Sequence, residues 1–182
     1  YCRLTRVVRD IPSTEIVAGN KYTNFRQIAE REIEKQGKTI QDIRNREIRA
    51  ESVNEKDLEL EVIKYDTTVS EEYFLSFKTK KHDKICSFLR LSLPTTDGYI
   101  DELKECSIIR EVHVYGTVVN LGKGSEGEAQ HLGLGTKMIK IAEEISKKNG
   151  FRQIAVISAI GTRRYYEKRG YKNLSLYMTK KL

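Results

Sequence analysis

Apolar and polar positions change period several times along this chain, and the changes divide it. Residues 1–20 show little periodicity and are punctuated by Pro12 and Gly19, so they read as loop or extended chain. From Asn24 to Lys35, "NFRQIAEREIEK" sets Phe25, Ile28, Ala29 and Ile33 on one helical face. Thr23 or Asn24 serves as the cap and Gly37 as the stop. The next stretch, "KTIQDIRNREIRAESV", spaces Ile40, Ile43 and Ile48 loosely. Residues 1–50 thus carry too few apolar positions for a core of their own, and we expect them to pack against something else.

After Glu51 the period shortens to that of a strand. "LELEVIKYD" (58–66) and "EYFLSFKT" (72–79) alternate apolar with polar, "KICSFLRLSL" (84–93) gives a third strand, and Asp97-Gly98 marks a turn. "SIIREVHVYGTVVNL" (107–121) is a long β-rich run with Gly116 inside it, where a bulge or a close backbone approach is expected. A polar loop, 122–130, follows. The period then becomes helical, with Leu134, Met138, Ile141, Ala142 and Ile145 on one face and Gly150 as the stop. "QIAVIS" (153–158) is a nearly continuous apolar run, the pattern of a strand covered on both faces. "GTRRYYEKRGY" (161–171) reads as a short helix closed by Gly170, and "KNLSLYMTKKL" as one last strand. The expected fold is α/β, a mixed and mostly antiparallel central sheet over 51–182 behind a helical connector over 1–50.

Bulk properties narrow the class. A chain of 182 residues, 38% hydrophobic and 32% charged, suits one sizeable domain with an appendage. No apolar run is long enough for a bilayer, so no membrane partner is expected. The opening "YCRLTRVVRD" lacks the apolar centre of a signal peptide, and without an initial Met we expect sequence upstream. Cys2, Cys86 and Cys106 are scattered, fit no zinc spacing and are odd in number, which points to a reducing cytoplasmic setting and no metal site. Cys86 reads as a core thiol. The net charge of +7 is clustered: four lysines in "KTKKHDK" (78–84), and Arg163, Arg164, Lys168, Arg169, Lys172, Lys180 and Lys181 against Glu167 near the end. Such clusters read either as solvated basic surface or as a phosphate-neutralising face for nucleic acid.

The stretch "EAQHLGLGTKMIKIAEE" (128–144) carries the sharpest chemistry. The first turn of a helix leaves N–H groups unpaired, and with the helix dipole they bind anions. Gly133 and Gly135 lack Cβ atoms, so a phosphate oxygen can approach the main chain from Leu132 to Thr136, where Thr136 adds a hydroxyl. The spacing is that of neither a Walker loop nor a dinucleotide fold, which needs a third glycine. Taken alone, Gly-x-Gly is equally a tight loop-to-helix turn.

Its context adds a resemblance. Gln130-His131-Leu132-Gly133-Leu134-Gly135 resembles the Q/R-x-x-G-x-G/A signature of the GNAT acetyltransferase superfamily. The resemblance implies that Gln130, His131, Leu132, Gly133, Leu134, Gly135 and Thr136 hold the pyrophosphate of acetyl-CoA, and that splayed strands, here 110–118 and 153–158, receive the pantetheine arm. "RVVRDIPS", "IIREVHVYGTVV", "QHLGLGTKMI" and "IAVISAIGTRRYYEKRGY" together resemble the Elongator catalytic-subunit family, over nearly the whole chain. That family joins a radical-SAM domain to a GNAT-like domain and is similar to tRNA-modifying enzymes.

The resemblance implies several things. Residues 1–50 are the end of the radical-SAM half and its connector, and 51–182 are the acetyltransferase domain. The cofactor is acetyl-CoA, with an iron–sulfur cluster and S-adenosylmethionine only in the absent radical-SAM half. The partners are tRNA and that half, and the outcome is carboxymethylation at C5 of the wobble uridine. Many relatives carry a C-x-C-x-x-C zinc cluster where this chain reads Ile40, Asp42 and Asn45, so no zinc is expected there. Tyr165 or Tyr166 would protonate the departing thiolate; adjacent helical residues diverge, so one faces the sulfur and the other packs. Glu111 and His113, two apart on a strand, share a face and would orient a water, although His113 equally suits a satisfied core histidine. Arg163 and Arg164 would meet a CoA phosphate or tRNA. Protein lysine acetylation and a non-catalytic tRNA-binding module are the alternatives.

Overall fold

The computed structural model describes residues 1–4, 12–49, 53–96, 98–115 and 133–182. These fall into two compact units, Tyr1–Glu47 and Ile48–Leu182.

In the first unit, helix α1 (Phe25–Lys35) follows Asn24 as N-cap, although the Asn24 side chain makes no capping bond. The apolar stripe is present but shallow: Phe25 and Ile28 are each 37% exposed, and no residue of α1 is buried. The tighter structure is around helix α2 (Ile43–Arg46), whose N-cap Asp42 accepts from the Arg44 amide at 3.2 Å. Asp42 also accepts from the Leu4 amide at 2.9 Å and pairs with Arg26 on α1. One carboxylate thus ties the first residues, α1 and α2 together. Burial by itself works to raise the Asp42 pKa, yet the Leu4, Arg44 and Arg26 donors outweigh it and hold the carboxyl below its ordinary 3.8.

The second unit is a seven-stranded sheet. In chain order its strands are β1 (Leu58–Asp66), β2 (Ser70–Thr79), β3 (Ile85–Pro94), β4 (Cys106–Val114), β5 (Gln153–Ile157), β6 (Lys172–Asn173) and β7 (Tyr177–Lys181). The spatial order is β1-β2-β3-β4-β5-β7-β6. The first four form an antiparallel meander, with short turns between β1, β2 and β3 and a longer connection through a 3₁₀ turn at Asp101–Leu103 between β3 and β4. Helix α3 (Leu134–Lys148) carries the chain back, so β5 pairs with β4 in parallel. A 3₁₀ turn at Ile160–Thr162 leads into the short helix α4 (Arg163–Glu167), and β7 closes antiparallel on β5.

The helical period of 134–148 explains the core. Leu134, Met138 and Ala142 recur every four residues and are fully buried against β3 and β4, with Ile139 beside them. Ile141 and Ile145 are half-buried at the edge of the stripe. Leu89, Leu91, Ile109, Ile154 and Val156 supply the sheet side. Across the C-terminal end, Glu143 of α3 accepts from the Tyr171 hydroxyl at 3.0 Å and from Lys180 at 2.7 Å, pinning the last hairpin to the helix. Burial foremost, then the Glu143 carboxylate, pushes the Tyr171 phenol far up.

β4 carries a bulge at Arg110: Arg90 pairs with Glu111 but the next residue, Leu91, pairs with Ile109. Gly116, where a bulge or a close backbone approach was expected, lies outside the described residues. Two expectations need correction. The final segment is not one strand but a hairpin, β6 and β7, in which Leu174 and Leu176 stand exposed at the turn. Glu102 makes that turn possible by accepting from the amides of Leu176 and Tyr177 at 3.1 and 2.9 Å. Finally, the lysine cluster at 78–84 is partly spent on structure: Lys78 lies 2.6 Å from Glu61 and 3.2 Å from Asp83, and Lys80 donates to the Lys56 carbonyl.

Candidate functional site

The start of α3 combines a left-handed residue with a bare helical one. Gly133 is the N-cap, at φ 64° and ψ 25°, with nothing within 4 Å of where a Cβ would stand. Glycine is required here by backbone conformation, not by crowding. The Gly133 carbonyl takes the amides of Thr136 and Lys137, at 3.0 and 3.1 Å. The helix itself offers no acceptor to the amides of Leu134 and Gly135, so these face the anion-favouring end of the dipole.

Gly135 is bare for a different reason. A Cβ there would stand 2.5 Å from the Tyr165 hydroxyl oxygen and 3.4 Å from Val114 Cγ2. The missing side chain lets a phenol sit against the first turn of α3. Tyr165 is held in that place from above: the Arg169 guanidinium lies 3.4 Å over its ring centroid and donates to the Tyr165 carbonyl. From below, Tyr166 meets the Tyr165 ring edge-on at 5.3 Å. Tyr166 itself is buried in the main core beside Tyr171, and burial raises its phenol pKa. Of the adjacent pair, Tyr165 therefore reaches the helix start and Tyr166 packs.

The sheet opens next to this corner. The β4–β5 ladder runs from Cys106 opposite Gln153 to Ile109 opposite Val156 and then stops. The bulge at Arg110 turns β4 away, and β4 continues to Val114 paired with β3. Beyond Ile109 the β4 edge that faced β5 has no strand partner among the described residues. Just past the last rung, Ile157 and Ile160 stand 62% and 82% exposed. An unpaired β4 edge with exposed aliphatic side chains beside it suits a slender, largely apolar chain whose polar end rests on the α3 amides.

Alternation along β4 puts Val112 and Val114 on the α3 side and Glu111 and His113 on the other. On that second face Arg90 Nε donates to Glu111 Oε2 at 3.0 Å, and Glu111 Oε1 lies 2.8 Å from His113 Nε2. A carboxylate only accepts, so Nε2 carries the proton and the lone pair of the neutral ring is on Nδ1. The imidazole stacks on Phe88, centroids 5.0 Å apart, and is 40% exposed, so it is neither enclosed nor free to rotate. This is an oriented imidazole able to accept a proton from water.

Elongator complex protein 3 of Drosophila melanogaster is 37% identical over 188 residues, covering 100% of this chain and 34% of its own length. The Homo sapiens protein of the same name is 34% identical over the same span and share. The solved structure of archaeal Elp3 from Methanocaldococcus infernus, carrying an N-terminal deletion, matches at 34% identity with a TM-score of 0.80, over 98% of this chain and 44% of that one. Along its whole length the chain thus matches part of Elongator complex protein 3. It spans about a third of the length of these curated relatives. No protein-family profile matches the chain. Its fold is mixed α/β: a bulged β4, a helix starting at a glycine pair, and a parallel β5 whose ladder with β4 ends at Ile109 and Val156.

Within this Elongator-like chain, the structure brings Gly133, Leu134, Gly135, Thr136 and Tyr165 together at one corner. It brings Glu111 and His113 together on the other face of the sheet, and Tyr166 belongs to neither group. Gln130, His131 and Leu132 lie outside the described residues. Among the described residues no group of histidine, cysteine and carboxylate side chains could hold a metal ion, and no helix is long and apolar enough to cross a membrane. Sequence reasoning missed Arg169 as a site residue. It stood as one basic residue in a cluster, and its partner Thr136 is 33 positions away. Only the helical spacing from Tyr165 to Arg169, one turn, hinted that the two would stack.

Proposed function

We propose that this chain binds acetyl-CoA at the start of α3 and promotes loss of its thiol, in an enzyme that modifies C5 of a tRNA wobble uridine. The observation that carries the reading is the Tyr165 hydroxyl seated against Gly135, at the junction of the amide-bearing helix end and the β4 edge beyond Ile109. The residues present fit the group. The amides of Leu134 and Gly135, the Thr136 hydroxyl and the Arg169 cation form a donor-rich corner suited to a diphosphate. The β4 edge suits the pantetheine arm. Acetyl-CoA supplies a two-carbon unit as a thioester. Tyr165 donates a proton where the sulfur would depart. From the far face, His113 Nδ1 takes a proton from the attacking water, with Arg90 and Glu111 orienting the ring. Exposed Arg164, Lys168, Lys172 and Lys181 supply cations for an RNA backbone. The radical-SAM half, with its iron–sulfur cluster and S-adenosylmethionine, is proposed as a further part of the whole enzyme. Residues 1–50 are proposed as its end and connector.

The test is to incubate the chain with acetyl-CoA, with and without tRNA, and follow free thiol. Release that depends on tRNA is expected. Release driven by a histone peptide instead would make this a protein acetyltransferase. Binding of tRNA without any binding of acetyl-CoA by calorimetry would leave a non-catalytic module.

A further inference from the structure

Arg169 makes more specific contacts at this corner than any residue the sequence singled out. Its Nε donates to Thr136 Oγ1 at 3.2 Å, and its Nη2 donates to the same oxygen. Its Nη1 donates to the Tyr165 carbonyl, and its guanidinium plane lies on the Tyr165 ring, 3.4 Å from the centroid. A hydroxyl has two lone pairs and one hydrogen. With both lone pairs taken by guanidinium hydrogens, Thr136 can only donate, and its hydrogen must point away from Arg169. The same fork fixes the ring whose hydroxyl rests against Gly135.

We infer that Arg169 is the positioning residue of this site: it locks the Thr136 hydroxyl as an anion donor and holds Tyr165 in register with it. The inference rests on the coenzyme reading for its ligand but makes a separate claim about polarity. Among the described residues the Leu134 and Gly135 amides, the Thr136 hydroxyl and the Arg169 cation can all donate, so the corner favours a diphosphate over a neutral or cationic group of the same size. A lysine would keep the charge, but it could neither lie flat on the ring nor offer the planar fork.

The test uses the full chain with two probes, acetyl-CoA and inorganic pyrophosphate, each titrated calorimetrically. Arg169→Gln should weaken both by about tenfold, the loss of one charge-assisted hydrogen bond. Arg169→Lys should remain weakened. In the Thr136→Val background, Arg169→Gln should change affinity much less, because the group through which it acts is gone. Circular dichroism and thermal unfolding of each variant check the fold. Should Arg169→Gln unfold the protein, Arg169→Lys and Thr136→Val carry the test. Full affinity in Arg169→Gln, or full recovery in Arg169→Lys, overturns the inference and leaves the coenzyme reading standing. Arg169-dependent binding of pyrophosphate without binding of acetyl-CoA overturns the coenzyme reading and leaves the inference. Binding of neither probe overturns both.

Discussion

Replacing Gly135 by alanine should report directly on Tyr165. The added Cβ would stand 2.5 Å from the phenol oxygen, closer than real Cβ contacts come, and the ring cannot simply swing aside under Arg169. Overpacking of this kind costs about 1–3 kcal/mol. Alanine in place of glycine within a helix returns up to about 1 kcal/mol through propensity. In the wild-type background the sum is a loss of roughly 0–2 kcal/mol. In a Tyr165→Phe background the clashing oxygen is absent, and the next atom, Cζ, at 3.7 Å, is in ordinary contact. There Gly135→Ala should be neutral or stabilising, so the coupling between the two substitutions should be about 1–3 kcal/mol. Urea denaturation of the four proteins, followed by circular dichroism, measures it. Thiol release from acetyl-CoA should fall about 10²-fold in either single variant, with little further loss in the double. An equal stability cost for Gly135→Ala in both backgrounds would refute the contact on which the site assignment rests.

Gly133→Val forces a β-branched residue into the left-handed region and should cost about 1–2 kcal/mol and weaken acetyl-CoA in calorimetry, whereas Gly133→Asn should cost less. Under native conditions maleimide should label exposed Cys2 and spare buried Cys86 and Cys106, read as one adduct by mass spectrometry; burial also pushes the Cys106 thiol up, away from the reactive thiolate. Because the Asp42 carboxyl is held below its ordinary 3.8, its contribution to the first unit is present above that pH and is lost as pH falls through the lower folded value. Asp42→Asn should therefore flatten the acid limb of the unit's pH–stability profile, and its cost near neutrality should be about 1–3 kcal/mol.

Much of this architecture is legible in period alone. Residues 58–66 are legible as a strand by alternation even though Leu60 and Val62 stay exposed, 85–94 is legible as an apolar run buried along most of its length, and α3 is legible because one stripe must meet β3 and β4. The C-terminal hairpin was hidden by the same logic. In "KNLSLYMTKKL" the leucines continue a period of two, yet Leu174 and Leu176 are 61% and 69% exposed in a turn while Met178 is in the core. What holds that turn is Glu102, more than seventy positions upstream. The two glycines show the limit inside the site. Both are visible as bare backbone, but one is needed for its left-handed φ and the other for a tyrosine oxygen reached across space. Local sequence carries the first constraint only as a habit of loops and does not carry the second at all.

The position of the β4 bulge decides how the two halves of the site relate. The extra residue at Arg110 falls where the β4–β5 ladder ends, and beyond it β4 stays paired with β3. With it, Val112 and Val114 face α3, and Glu111 and His113 face the opposite side. This part of β4 thus separates a donor corner that favours phosphates from an oriented imidazole that favours a water proton. A ligand lying along its edge would be gripped from one face and meet water on the other, which keeps its charged end away from the proton-accepting ring. The same arrangement explains why Arg169, Thr136 and Tyr165 belong together while Arg90 forms a separate chain with Glu111 and His113. Cation and phenol on the α3 side can change binding without touching the imidazole, and substitutions at Glu111 can change turnover without touching the diphosphate corner.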